Sequence, residues 1–310
     1  MNVLVTGGSG LVGKAIQQIK DNYSYSWYFI TSKDCNLINL EETKQLFNRI
    51  KPDFVIHLAA NVGGLYKNMN QKVSMLEDNL LINFNVLKCC HLYNIKKCIS
   101  CLSTCIFPDK VEYPITEQQL HDGPPHFSNN TYAYAKRMLE IQSNAYQQQY
   151  QKQFICIIPT NIYGPYDNYS LEDGHVIPSL IHKCYLAKLN NQKFIVRGSG
   201  KPLRQFIYSL DLAELIVWVL EKYTQLDNII LSVGEKEEVS IKQVAEQIAN
   251  SFNYSDHLEF DTSFEDGQYK KTVNNSKLLS LYGDYPFTKI EKGIHNTVQW
   301  FIDNYQYSRK

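Results

Sequence analysis

The chain begins NVLVT (2–6) and runs at once into Gly7-Gly8-Ser9-Gly10-Leu11-Val12-Gly13, followed by a helical pattern through Lys14–Lys20. An apolar strand feeding straight into a glycine turn and a helix is the opening of a βαβ unit. Glycine is required where the backbone turns tightly and where it lies against a diphosphate. The helix start adds unpaired N–H groups and the positive end of a dipole. Gly7, Gly8, Ser9, Gly10, Leu11, Val12 and Gly13 are therefore expected to cradle the pyrophosphate of a dinucleotide.

The segments that follow keep the same rhythm. SWYFIT (26–31), DFVIHLAA (53–60), KCISCLST (97–104) and FICIIPT (154–160) read as strands. Helical patterns over 41–50, about 71–93 and 132–150 separate them. Alternation of this kind predicts an α/β fold, a Rossmann-type doubly wound parallel sheet with helices on both faces. After Gly164-Pro165 the rhythm breaks into a polar loop (168–174), helices at 176–189 and 209–223, and further helical stretches at 240–253, 275–282 and 287–304. We expect a dinucleotide-binding domain over 1–165, with part of 205–235 returning to it. Residues 166–310 are expected to form mainly a smaller substrate-binding domain.

With 31 Lys+Arg against 31 Asp+Glu the net charge is zero, and no basic run supplies a nucleic-acid footprint. No apolar stretch reaches the roughly 18 residues of a membrane span, and no secretory leader precedes the first strand. A cytoplasmic protein with reduced thiols is expected, although there are eight cysteines. Cys98 and Cys101 have C-x-x-C spacing but lie in an apolar run with no second pair, so no metal site is expected.

Strand two ends Ile30-Thr31-Ser32-Lys33. It lacks the acid that would grip a ribose 2′-hydroxyl, whereas Lys33 and the hydroxyls suit a 2′-phosphate, so NADP is expected over NAD. Asp34 follows, facing the adenine side. Strand four ends at Ser103, and Tyr132 and Lys136 share a helix face four residues apart. A ketone reductase needs an acid at the carbonyl oxygen. Tyr132 is that acid, its pKa expected to be lowered by the Lys136 ammonium, with Ser103 holding the same oxygen. Lys136 also reaches the cofactor ribose. Tyr134 is the other phenol in the motif, but it points elsewhere on the helix.

TGGSGLVG, HLAANVGG, CLSTCIFP, YAYAK, IPTNIYGP, DGHVIP and GSGKPLRQFIY together resemble the extended short-chain dehydrogenase/reductase family along essentially the whole chain. Within it, the pairing of LSTCIFP with DGHVIP is similar to the branch that epimerises and reduces GDP-4-keto-6-deoxy-D-mannose with NADPH. The resemblance implies that Cys105 and His175 are the acid/base pair at C3 and C5, Cys105 the base and His175 the acid. Protons alpha to a ketone are acidic, and an imidazole, or a thiol whose pKa is lowered, exchanges them near neutrality. It further implies cofactor contacts from Pro159 and His175, and substrate contacts from Asn161, Lys183, Arg204, Asp266 and Lys271. Arg197 departs from the branch, which usually carries Trp before this glycine turn. A guanidinium stacks too. The resemblance also implies a homodimer through the helices at 71–93 and 132–150. A ketoreductase without epimerisation, and a non-catalytic NADP sensor on the same fold, are the alternatives.

Overall fold

The computed structural model describes residues 1–266 and 268–310. Its order is β1 (Asn2–Thr6), α1 (Leu11–Ile19), β2 (Ser26–Ile30), α2 (Leu40–Ile50), β3 (Phe54–His57), α3 (Leu65–Asn70), α4 (Lys72–Leu92), β4 (Lys97–Cys101), α5 (Asn130–Tyr150), β5 (Gln153–Pro159) and β6 (Asn161–Tyr163). Then come α6 (Val176–Leu189), β7 (Phe194–Arg197), β8 (Leu203–Arg204), β9 (Phe206–Tyr208), α7 (Ser209–Lys222) and β10 (Ile229–Leu231). The chain finishes with β11 (Val239–Ser240), α8 (Ile241–Ser251), β12 (Leu258–Asp261), α9 (Ser276–Tyr282) and α10 (Ile290–Asp303).

Six strands form one parallel sheet in the order β10-β5-β4-β3-β1-β2. The strand order reverses between β1 and β3, so the crevice above their carboxyl ends is where an open α/β sheet takes its ligand. Burial on both faces explains why β4 and β5 read as nearly unbroken apolar runs. One face is covered by α2, α4 and α5, with Phe47, Leu87, Leu139 and Phe154 in its core. The other is covered by α1 and α7, through Ile16, Leu212, Ile216 and Val219. Each such large side chain contributes about 1.5–3 kcal/mol on burial.

Local chemistry sets the helix ends. The Asn39 side chain accepts from the Glu41 and Glu42 N–H groups and starts α2. Lys51 closes it in the left-handed region at φ 48°, immediately before Pro52. A Ser240/Gln243 capping box starts α8. Lys97, buried at the start of β4, donates its ammonium to the carbonyls of Val219, Leu220 and Tyr223. It thereby satisfies the last turn of α7 from across the sheet, and burial pushes its pKa down to about 8.

The rest of the chain builds differently. Three two-stranded ladders, β6 with β9, β7 with β12 and β8 with β11, surround a third core made by α6, α8 and α10. Tyr163, Tyr169, Phe194 and Phe301 fill that core. The sheet thus takes a sixth strand, β10, and the C-terminal part takes six strands of two to four residues, none of which the sequence pattern announces. A period of two cannot be read from so few residues.

Candidate active site

The glycine turn sits at the crevice between β1 and β3. Gly7 adopts φ +71°, and a Cβ there would lie 2.9 Å from the Ala59 nitrogen. A Cβ on Gly13 would lie 2.6 Å from the Gly7 carbonyl oxygen. These are backbone-to-backbone contacts that no side chain relieves. The Gly8 N–H is taken by the Ile30 carbonyl and that of Gly10 by the Gly7 carbonyl. Leu11, Val12 and Gly13 occupy the first turn of α1, whose N–H groups have no partner within the helix. Ser9 is exposed at the lip. The turn fits a diphosphate.

Just below it, Thr6 Oγ1 accepts the N–H groups of Leu58 and Ala59, both at 3.2 Å. Its own proton is then free to go to His57 Nδ1, 2.8 Å away. That places the imidazole proton on Nε2, which donates to Asn83 Oδ1 at 3.0 Å, and Asn83 Nδ2 donates to the Ala135 carbonyl on α5. Desolvation, helped by the Lys136 charge, pushes the His57 pKa down to about 3. His57 is a neutral core residue that ties β1, β3, α4 and α5 together.

At the end of strand two, Lys33 is exposed. Asp34 turns its carboxylate back onto Thr31, accepting from that residue's N–H at 2.9 Å and hydroxyl at 2.7 Å. These bonds hold its pKa below the usual carboxylate value. Asp34 thus shapes the turn that presents Lys33.

On the far side of the crevice, Ser103 follows β4 and caps a single helical turn, its Oγ accepting from the Cys105 N–H at 3.4 Å. Lys136 is almost fully buried on α5 and donates to the Cys101 carbonyl at 2.8 Å, with its ammonium 5.7 Å from the Tyr132 ring centre. Burial lowers the Lys136 pKa. The Tyr132 pKa is not lowered as the motif suggests. Burial raises it well above its ordinary value, with the Cys105 and Cys101 thiols adding to the rise. Desolvation outweighs the ammonium, whose own charge burial also disfavours. The phenol is therefore firmly protonated, the state a proton donor needs. Tyr134, by contrast, is exposed and lies against the Arg137 guanidinium.

Cys105 is buried, and desolvation raises its thiol pKa against the pull of Lys271, the Ser103 hydrogen bond and Lys136. The lowering that acid/base work calls for is absent for the same reason as at Tyr132. Lys271 is lowered in turn by burial, with Cys105 opposing. Its segment is stitched to the 108–116 loop, the Ile115 N–H donating to Thr272 and the Asn274 N–H to Ile115. His175 stands exposed as the N-cap of α6, at the end of the 164–175 loop.

The remaining residues sit on β5, β6 and α6 and along 197–266. Asn161 on β6 donates to the Gln205 carbonyl. Pro159 ends β5, buried. Lys183 is half-buried on α6 and lowered by desolvation, then by Arg197. Arg204 is half-buried beside Lys271, lowered chiefly by desolvation. The Arg197 guanidinium lies 4.6 Å over the exposed Phe264 ring. Asp266 accepts from the Ser199 N–H and hydroxyl at 2.8 and 2.5 Å, so its carboxylate closes the 198–200 turn. Arg197 and Lys67 also line an open cavity of about 590 Å³ with Asp173 and Gln71.

Gln205 is a residue the sequence does not flag. It is fully buried, donates to the carbonyls of Val233 and Val273, and accepts the Val273 N–H. Asp167 is another. Its signal is only its place in GPYDN, eight residues before His175. Among the described residues no cluster of His, Cys, Asp and Glu has the makings of a metal site, and no helix is long and apolar enough to cross a membrane.

Comparison with known proteins places these features among relatives. The NAD dependent epimerase/dehydratase family model matches residues 3–234. A GDP-L-fucose synthase of Dictyostelium discoideum is 56% identical, over 99% of this chain and 97% of that one. A probable GDP-L-fucose synthase of Drosophila melanogaster is 50% identical, over 99% of both. The crystal structure of a GDP-L-fucose synthetase from Naegleria fowleri bound to NADP superposes with a TM-score of 0.95, at 52% identity, covering 100% of this chain and 95% of that one.

Proposed function

The chain belongs to the NAD dependent epimerase/dehydratase family, and on that footing we propose that it converts GDP-4-keto-6-deoxy-D-mannose to GDP-L-fucose with NADPH, by 3,5-epimerisation and 4-keto reduction. What supports this is that Ser103 and Cys105 share one turn just past β4 and that Cys105 lies close enough to Tyr132 to push its pKa up. A ketone held there meets two hydroxyls at its oxygen and a thiol two residues from the serine, at its flank.

The 7–13 turn and Lys33 hold the dinucleotide, and Lys136 reaches its ribose. When bound, it supplies the hydride for C4. Cys105 and His175 exchange the protons at C3 and C5, Cys105 as base and His175 as acid. The buried thiol needs the positive charges of Lys271 and Lys136 to release its proton. Tyr132 then donates its proton to the C4 oxygen, with Ser103 holding that oxygen and Lys136 stabilising the phenolate left behind. Arg204, Lys183 and Lys271 bind the diphosphate end, with Asn161, Arg197 and Asp266 beside it.

The test is the reaction run in D₂O with NADPH, read by proton NMR. Deuterium at C3 and C5 of a fucosyl product supports the assignment. NADPH oxidation giving an undeuterated rhamnosyl product leaves Ser103, Tyr132 and Lys136 in place and removes Cys105 and His175.

A homodimer through α4 and α5 is supported by the apolar side chains these paired helices leave exposed, Leu81, Phe84, Met138 and Ile141. Sedimentation reads it directly. Leu81→Glu with Met138→Glu is expected to give monomers. A cytoplasmic location suits eight cysteines, none of them in a disulfide.

A further inference from the structure

The 164–175 loop folds tightly on itself. The Gly174 N–H donates to the Ser170 carbonyl at 3.0 Å, and a Cβ on Gly174 would lie 2.4 Å from that oxygen and 2.7 Å from the Asn168 carbonyl oxygen. Backbone at 168 and backbone at 174 are thus in contact, which brings their outer neighbours, Asp167 and His175, to the same end of the loop. The loop is held from outside as well. The Tyr169 N–H donates to the Arg309 carbonyl, the Arg309 guanidinium donates to the Tyr166 carbonyl, and His182 Nδ1 bonds the Tyr169 carbonyl.

Asp167 is the anomaly inside this frame. It is 3% exposed, and its Oδ1 accepts the Asn168 N–H at 2.7 Å. Its Oδ2 is buried with no partner. A buried carboxylate oxygen without a donor is costly, and such an oxygen persists where it has work to do. Burial pushes the Asp167 carboxyl up, and His175 is the foremost influence opposing that rise, with Arg309 the other charge doing so. Tyr169 also faces Asp167, and Lys14 lies over Tyr166 from α1.

We propose that Asp167 is a positioning residue for the epimerising step, its free Oδ2 accepting the N–H of the His175 imidazole, fixing the tautomer and balancing the charge when the ring is protonated. This rests on the acid/base role given to His175 above. An imidazole that must give a proton to one face of a sugar ring needs its second nitrogen committed elsewhere, and a buried carboxylate commits it. His175 itself is exposed at the N-cap of α6, where only its neighbours in the loop can order the ring.

The test is Asp167→Asn, which keeps the shape and still accepts from Asn168. Two measurements on the folded enzyme separate the claims. In ¹⁵N NMR, His175 is expected to lose a single dominant tautomer. Deuterium wash-in at C3 and C5 is expected to fall about ten- to a hundredfold with KM unchanged. An unaltered His175 spectrum overturns the proposal. An altered spectrum with unaltered wash-in supports the pairing and overturns the acid role of His175. If Asp167→Asn does not fold, the unaltered enzyme's ¹⁵N spectrum tests the pairing: His175 is expected to hold one dominant tautomer, and an even mixture of tautomers overturns it.

Discussion

The two walls of the crevice are built to different standards of rigidity. Ser103, Tyr132 and Lys136 stand on the end of β4 and on α5, and Lys136 is locked by its bond to the Cys101 carbonyl. His175 stands on an exposed loop end, and the loop is shaped by its own backbone and a strap from Arg309. The difference suits the chemistry proposed for these residues. Proton delivery to one ketone oxygen, in line with a hydride on the opposite side, tolerates little displacement. Acid/base exchange at two carbons on different sides of a sugar ring requires the group on one side to adjust.

Five experiments would break or sharpen this contrast. The largest effect belongs to the rigid wall. His57 has its pKa depressed to about 3 in the folded protein, against about 6.5 when unfolded. Its contribution is fully present above pH 6.5 and is lost as pH falls through the window down to 3, amounting to about 5 kcal/mol. Urea unfolding as a function of pH reads this. His57→Gln should flatten the acid limb, and an unchanged limb would remove His57 as its cause. Next, Tyr132→Phe should lower reduction roughly 10³-fold while wash-in of deuterium continues. Loss of both together would mean that the two walls act as one unit.

His175→Asn, which removes the acid, should lower deuterium wash-in at both C3 and C5 roughly 10²-fold. Cys105→Ser, which removes the base, should do the same at both carbons. Loss at only one carbon in either variant would contradict these base and acid roles. The smallest effect is expected from Arg197→Trp. The guanidinium already stacks on Phe264, so an indole should change the KM for the nucleotide sugar by less than about fivefold, roughly 1 kcal/mol. A larger change would make Arg197 a phosphate contact.

What the sequence discloses follows the same divide. The glycine turn, the placement of Ser103 just past β4 and of Tyr132 and Lys136 on α5, and five of the six sheet strands are legible, because each is local. A strand has its apolar run, and Tyr132 and Lys136 are one helical turn apart. His57 is legible as a core residue because it lies inside a strand. β10 and the short ladders are not, since their pairing is decided by tertiary contact. The protonation of Tyr132 and Cys105 misleads for a related reason. A motif gives the neighbouring charges but not the depth of burial, and burial decides the sign. Asp34 and Asp266, expected as ligand contacts from the sequence, also carry bonds within the fold, Asp34 to Thr31 and Asp266 to the distant 198–200 turn at Ser199. Their partners lie in backbone N–H groups, which no side-chain pattern exposes.

Gln205 has a consequence for how the pocket keeps its dimensions. Its side-chain amide reaches Val233, just past the last strand of the sheet, and Val273, two residues from Lys271, while its backbone carbonyl receives Asn161. One residue therefore serves as a common datum for surfaces that come from distant stretches of chain. The strand carrying Asn161 is tied to the edge of the sheet through Gln205. A glutamate in its place would keep the acceptor for the Val273 N–H but lose both donors, and two carbonyls would be left buried. The separation between diphosphate grip and reacting carbon would then lose its fixed reference, so substrates one carbon longer or shorter should discriminate less sharply against the proper one.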